Sequence, residues 1–288
     1  MGRFVTASFD RGQIPTITFI NKATQPLGVT MPKLVAALRK FLDQCFVPVW
    51  GTPAKLTTST DFVKGTWAML FVDDADVADA LGYHDLTPDG LPLSKVFVRT
   101  TRDAGEVVSV TVCHELCEML VDPAVNLCST GPKNLLYAYE TCDAVEEETF
   151  KIDGVEMSDF VYPSWFEDFH KPNSTQFDFL KKVSRPFQLL HGGYIPVFKN
   201  GKWTQITGSR AKTTRFAKED RRGHRSSFRG VTHRMKASLE AEARVQRAQG
   251  STAVRQAPSD VGLLDRRRTR RVSAPEPVAV AAASTTGG

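Results

Sequence analysis

Apolar positions recur along the chain with two different periods, so both helices and strands are expected. Residues 32–45 carry apolar side chains at helical spacing, which predicts an amphipathic helix with Pro32 in its first turn. Short apolar and β-branched runs predict four strands, at residues 16–20, 46–58, 66–72 and 94–100. The first part of the chain is therefore predicted to mix α and β structure.

Two more helices and two hairpins are predicted further along. Residues 107–121 are largely apolar at helical length, and Asp122 and Pro123 end that segment. Residues 135–147 are predicted to form the next helix. The residue pairs typical of hairpin turns occur twice, as Asp153 with Gly154 and as Asn200 with Gly201.

The balance of charge changes near Gly208, where regular apolar patterning also ends. Residues 1–208 contain 19 Lys plus Arg and 25 Asp plus Glu, whereas residues 209–288 contain 18 and 7. A segment with many like charges and few apolar side chains buries too little surface to offset the entropy of ordering. We therefore predict an α+β domain over residues 1–208 and a basic, low-complexity, disordered tail over residues 209–288.

The sequence carries no signal for membrane insertion or export. It has no run of 18 apolar residues, and its first thirty residues lack the pattern of a signal peptide. The five cysteines form an odd set in a chain too long to need disulfides, so free thiols in a reducing compartment are expected. These features predict a cytoplasmic location without membrane contact.

The strongest chemical signal lies in the helix predicted at residues 107–121, where His114 is followed by Glu115 and Glu118. Side chains four positions apart share one helix face, so His114 and Glu118 can bind one cation. Glu115 is offset by one position, which puts a carboxylate beside a metal-bound water without making it a ligand. A general base in metal-assisted hydrolysis needs that placement. Because the flanking residues are largely apolar, burying these groups without a shared cation would be costly.

The segment V-C-H-E-L-C-E-M-L-V-D resembles the active-site helix of the zincin metallopeptidases, H-E-x-x-H, with Glu118 in place of the second histidine. In the thermolysin-like branch, the gluzincins, a downstream helix supplies a glutamate ligand and an aspartate that orients the ligand histidine. Glu140 and Asp143 look like that pair. The resemblance implies a zincin-like domain, with a mixed sheet, an active-site helix and a second ligand helix. It also implies one divalent metal ion bound by His114, Glu118 and Glu140.

Glu118 makes this ligand set harder and more anionic than that of a zincin. Zinc is the expected metal, with manganese, magnesium and calcium as alternatives. Asp122 competes with Glu140 as a ligand, because it follows His114 by eight positions on nearly the same helix face. Four side chains are candidates to donate a hydrogen bond to a developing oxyanion: Tyr139, Tyr162, His170 and His191.

Residues 90–206 also resemble a group of uncharacterised phage and prophage proteins that carry H-E-x-x-E. The favoured hypothesis is a metal-dependent hydrolase, a peptidase acting on a peptide or protein, in which Glu115 is the general base and Asp143 orients His114. The alternative is a noncatalytic phage structural or assembly protein, in the host cytoplasm or the virion. Its basic tail would contact nucleic acid or virion proteins.

Overall fold

The computed structural model describes residues 13–76 and 80–209. These residues all belong to the first of two units into which the chain divides, Met1–Ser251 and Thr252–Gly288. The predicted tail, apart from Ser209, lies outside the described residues, so its boundary and its disorder remain predictions. Within the described ranges, no helix combines the length and the apolar character needed to cross a bilayer.

A five-stranded mixed sheet carries the first half of the fold. Its strands β1 to β5 span, in chain order, Thr16–Asn21, Lys55–Ser59, Trp67–Val72, Gly82–Leu86 and Pro92–Phe97. They lie in the order β2-β1-β3-β5-β4, all parallel except β4, which runs antiparallel to β5 with His84 opposite Ser94. The strands predicted at residues 16–20 and 66–72 are confirmed, as β1 and β3. The strand predicted at residues 94–100 is confirmed up to Phe97, and its last three residues belong to a short helix. β4 was not predicted, since the sequence GYHDL contains no β-branched residue.

The first helix runs further than its sequence pattern indicates. Helix α1, Met31–Phe41, packs its predicted apolar face against the sheet. It continues through a π-helical turn, Leu42–Phe46, into α2, Val47–Trp50, and ends at Gly51 in the left-handed conformation (φ 67°). The strand predicted for residues 46–58 is therefore wrong over its first half. Burial of the apolar side chains of the π-helical turn in the core outweighs the local β propensity.

Helix α4, Val108–Val121, confirms the predicted central helix and follows a short helix, α3, Val98–Asp103. It is buried around nearly its whole circumference, between the five-stranded sheet and the second half of the described chain. The helix ends at Asp122, as predicted. The carboxylate of Asp122 accepts hydrogen bonds from the backbone N–H groups of Asn126 (2.9 Å) and Leu127 (3.0 Å).

The second half of the described chain forms an antiparallel sheet and a separate hairpin. Strands β6 to β11 span, in chain order, Cys128–Gly131, Leu135–Ala138, Thr149–Ile152, Val155–Ser158, Tyr194–Lys199 and Lys202–Thr207. The sheet has the order β11-β10-β7-β6, and β8 pairs with β9. Both predicted hairpins are confirmed, with positive φ at both turn residues in each, Asp153 with Gly154 and Asn200 with Gly201.

The helix predicted for residues 135–147 is wrong. Residues 135–138 form strand β7, which pairs with β6 and β10, and the stretch contains one short 3₁₀ turn, Asp143–Val145. Pairing on both edges holds β7 extended, which outweighs the helical propensity of its leucines and alanine. Glu140 and Asp143 therefore reach the interior from a loop and a short turn, not from a second ligand helix. The fold is mixed α and β, with a mixed sheet and few helices.

Two buried aspartates secure the long loop that follows β9. The Oδ1 atom of Asp159 accepts hydrogen bonds from the backbone N–H groups of Phe160 (2.8 Å) and Leu180 (3.2 Å). Asp178 accepts two more from the backbone at residues 182–183. Burial and the neighbouring Asp178 carboxyl raise the pKa of Asp159 to about 9. Asp159 is therefore protonated at neutral pH.

This raised pKa predicts a pH-dependent stability. Because the folded-state pKa of Asp159 lies above its ordinary value of 3.8, its contribution is fully present below pH 3.8 and is lost as the pH rises towards 9. Asp159→Asn keeps the Oδ1 acceptor but cannot ionise. Relative to the parent protein, its free energy of unfolding should rise between pH 5 and pH 9, by at most about 1.4 kcal/mol per pH unit. Urea unfolding at several pH values measures the difference, with the exposed Asp168→Asn as control. Parallel pH profiles for parent and Asp159→Asn would contradict the prediction.

Candidate metal centre

Helix α4 carries three ionisable side chains into the interior. His114, Glu115 and Glu118 are 8%, 5% and 4% exposed. Strand β4 packs against the same helix and adds His84, and the chain after β7 adds three more carboxylates. We call this set the acid–imidazole cluster; it consists of His84, His114, Glu115, Glu118, Glu140, Asp143 and Glu146.

The imidazole of His114 lies among three carboxylates. Its Nε2 is 3.3 Å from Glu118 Oε1 and 3.2 Å from Asp143 Oδ1, and its Nδ1 is 3.3 Å from Glu146 Oε2. Burial disfavours the charged imidazole, but the carboxylates, Glu118 first, outweigh it and raise the pKa of His114 well above 6.5. The site therefore favours positive charge at this ring.

Glu118 lies between two imidazoles. Its Oε1 faces His114 and also accepts a hydrogen bond from the backbone N–H of Cys142 (3.2 Å), whereas its Oε2 is 3.8 Å from His84 Nδ1. The other nitrogen of the His84 ring, Nε2, is 3.9 Å from Glu140 Oε2. Burial, with the nearby carboxylates, raises the pKa of Glu118 well above 4.5, against the opposing effect of His114. A buried carboxylate crowded by others needs added positive charge to stay ionised.

Potential ligand atoms converge in two groups among the described residues. His84, Glu118 and Glu140 form a fully buried group, and His114, Asp143 and Glu146 form a second, less enclosed one. Imidazole nitrogen and carboxylate oxygen are the ligands that zinc and manganese accept in proteins. The structure thus has buried His, Glu and Asp groups positioned to hold a metal ion.

Glu115 lies beside these groups, with its Oε2 atom 3.8 Å from His84 Nδ1. That oxygen is buried and accepts no hydrogen bond from the described residues. The side chain is packed over β4 at Gly82, where an added Cβ would lie 2.8 Å from Glu115 Oε1 and 2.9 Å from the backbone oxygen of Lys95. Gly82 is therefore the small residue that makes room for the Glu115 carboxylate.

A cleft of about 260 Å³ gives access to part of the cluster. His114, Glu115 and Glu146 line it, whereas the other four members of the cluster do not: His84, Glu118, Glu140 and Asp143. Further acidic side chains surround the opening, from Glu106, Glu147 and Glu156. The group around His114 is thus the one that a ligand in the cleft can reach.

The predicted ligands are divided between the two groups. Glu118 and Glu140 fall with His84, and His114 falls with Asp143, so the ligand set His114, Glu118 and Glu140 remains a prediction. Asp143, predicted to orient His114, does contact its imidazole. Asp122, the predicted alternative ligand, belongs to neither group and caps the turn after α4.

The four predicted oxyanion donors lie outside the cleft lining. Tyr139 stacks on Phe166, with ring centroids 4.2 Å apart, and Tyr162 accepts a hydrogen bond from the Gln176 side chain. Two histidines pair elsewhere, His170 with Glu167 and His191 with Ser209. The tyrosine that lines the cleft is Tyr194 on β10.

Two members of the cluster were not predicted from the sequence. His84 lies on the unpredicted strand β4, and its separation from the H-E-x-x-E segment gives no local sign that they meet. The second is Glu146, whose side chain is 22% exposed and faces His114. Only pairing of β4 with β5 and the turn at residues 143–145 bring these side chains to α4.

No protein-family model matches this chain, and no curated protein or solved structure matches it. The zincin and phage resemblances therefore continue to rest on the H-E-x-x-E segment and the residues that follow it.

The contact between Gly82 and Glu115 predicts a coupled pair. Gly82→Ala should lower the free energy of unfolding by about 1–3 kcal/mol, because the new methyl group overlaps Glu115 and the β5 backbone. Urea unfolding measures the loss.

Glu115→Ala provides the matched background. With the Glu115 carboxylate removed, the cost of Gly82→Ala should shrink by at least about 0.5 kcal/mol, while the overlap with the Lys95 backbone remains. Equal costs in the two backgrounds would mean that Glu115 does not occupy this position.

Proposed function

We propose that this chain is a metal-dependent hydrolase that cleaves peptide bonds, with zinc as the expected cation. The observation that carries the proposal is the convergence of Glu118 and Asp143 on one imidazole edge of His114, a residue that lines the same cleft as Glu115. Glu146, on the opposite edge of the imidazole, would fix the orientation of the ring.

The spacing of these atoms supports metal binding. Two ligands bonded to zinc at about 2.0–2.1 Å and at the tetrahedral angle lie about 3.3–3.4 Å apart. The His114 Nε2 atom lies 3.3 Å from Glu118 Oε1 and 3.2 Å from Asp143 Oδ1. His114, Glu118 and Asp143 would therefore hold the cation, with His114 linking the ion to the cleft.

When bound, the cation supplies Lewis acidity, which polarises a carbonyl group and lowers the pKa of water. Glu115 would accept the proton of the attacking water and return it to the nitrogen of the departing amine as the C–N bond breaks. Its burial and the absence of a hydrogen bond to Oε2 from the described residues suit a carboxylate that exchanges a proton.

A peptide as the substrate follows from the same resemblance as the general-base role of Glu115. Gly82, at the start of β4, lines the cleft beside Glu115. A zincin-like identity for the domain, and a phage origin, belong to this proposal through the H-E-x-x-E resemblance alone.

Glu115→Gln tests the catalytic role. The variant should lose at least about 100-fold in turnover, because glutamine cannot accept the proton, yet it should retain its metal content. The measurement follows new peptide ends by mass spectrometry when the zinc-loaded protein is incubated with a mixture of denatured proteins.

The control is Glu148→Gln, which lies outside the cleft and pairs with Lys182 at 3.8 Å. It should cleave at the parental rate. Metal-loaded parent protein that yields no new ends would refute the hydrolase, and so would unchanged turnover in Glu115→Gln.

A further inference from the structure

We infer that the acid–imidazole cluster binds a second divalent cation, at His84, Glu118 and Glu140, with Glu118 bridging the two ions. The second ion would lie among fully buried residues that do not line the cleft, next to the ion proposed at His114. The inference rests on the proposed function only for the first ion. Its own support comes from the donor geometry around His84.

The bridge follows from the two faces of one carboxylate. Glu118 Oε1 is 3.3 Å from His114 Nε2, and Glu118 Oε2 is 3.8 Å from His84 Nδ1. A carboxylate that turns one oxygen to each of two imidazoles is arranged to join two cations. In two-metal sites the ions lie about 3.5–4 Å apart, a distance that one carboxylate can span.

The ligand atoms of His84, Glu118 and Glu140 lie close enough to share one cation. One imidazole nitrogen and one oxygen from each carboxylate are within 4.8 Å of one another. Imidazole and carboxylate are ligands that zinc and manganese accept in proteins. The three residues are each less than 9% exposed, so the site is shielded from competing water.

The charge of the cluster supports a second ion as well. Its five carboxylates, all nine-tenths buried apart from Glu146, carry five negative charges when ionised. With both imidazoles neutral, as in metal ligands, one divalent cation offsets two of these charges and a second cation offsets two more. Buried uncompensated charge is costly, so the second ion removes a large part of the penalty.

Manganese provides the test, because it is both countable and paramagnetic. The full-length protein is stripped with a chelator, reloaded with Mn²⁺ and desalted; metal per chain is then measured, and an electron paramagnetic resonance spectrum is recorded. About two ions per chain and a spin-coupled spectrum are expected, since bridged ions lie within about 4 Å of one another.

The variants separate the two sites. His84→Ala and the isosteric Glu140→Gln should each bind about one ion and give an uncoupled six-line spectrum, because each variant removes one of the three protein ligands of the second ion. His170→Ala, whose imidazole lies outside the cluster, should keep two ions. Circular dichroism checks that each variant is folded. If His84→Ala does not fold, the metal content and spectrum of Glu140→Gln alone test the second site.

Three results would overturn the inference of a second, bridged ion. They are one ion per chain in the parent protein, an unchanged number of ions in Glu140→Gln, and two ions whose spins are not coupled. These outcomes differ from a failure of the proposed hydrolase. Two coupled ions without any turnover would refute the hydrolase alone, and turnover that depends on Glu115 with a single ion would refute the second site alone.

Discussion

Burial of several carboxylates beside two imidazoles, at the centre of an otherwise apolar helix, is the constraint on which the structure depends. Carboxylates in such a place repel one another and lose hydration, so each needs a close partner. The chain meets this demand by bringing β4, α4 and the turn at residues 143–145 together within a few ångströms. Binding of divalent cations would turn this costly arrangement into a stabilising one.

The two halves of the fold serve the cluster in different ways. The five-stranded sheet provides a rigid support for α4 and sets His84 at its edge, with Gly82 leaving space for Glu115. The second half supplies acidic side chains from loops held by neighbouring strands. Rigid elements therefore position the imidazoles, whereas the loop and turn residues complete the ligand shell.

The parts of the fold that could be predicted from the sequence are those that depend on residues close together in the chain. The amphipathic face of α1, the apolar length of α4 and the two glycine-containing hairpin turns were all predictable, because each signal lies within a few residues. Residues 135–138 were wrongly predicted as part of a helix, because pairing with β6 and β10 overrides their helical propensity. For the same reason His84 was missed, since only sheet pairing places it opposite α4.

The cluster is assembled from segments far apart in the chain, and this has a consequence for synthesis. A nascent chain that ends after α4 holds His84 and the H-E-x-x-E residues but lacks Glu140, Asp143 and Glu146. Neither ligand group is complete until the turn at residues 143–145 has left the ribosome and β7 has found its neighbours. If the proposed hydrolase is correct, metal binding would be delayed until the domain is nearly finished, and a partly made chain would be unable to cut its surroundings.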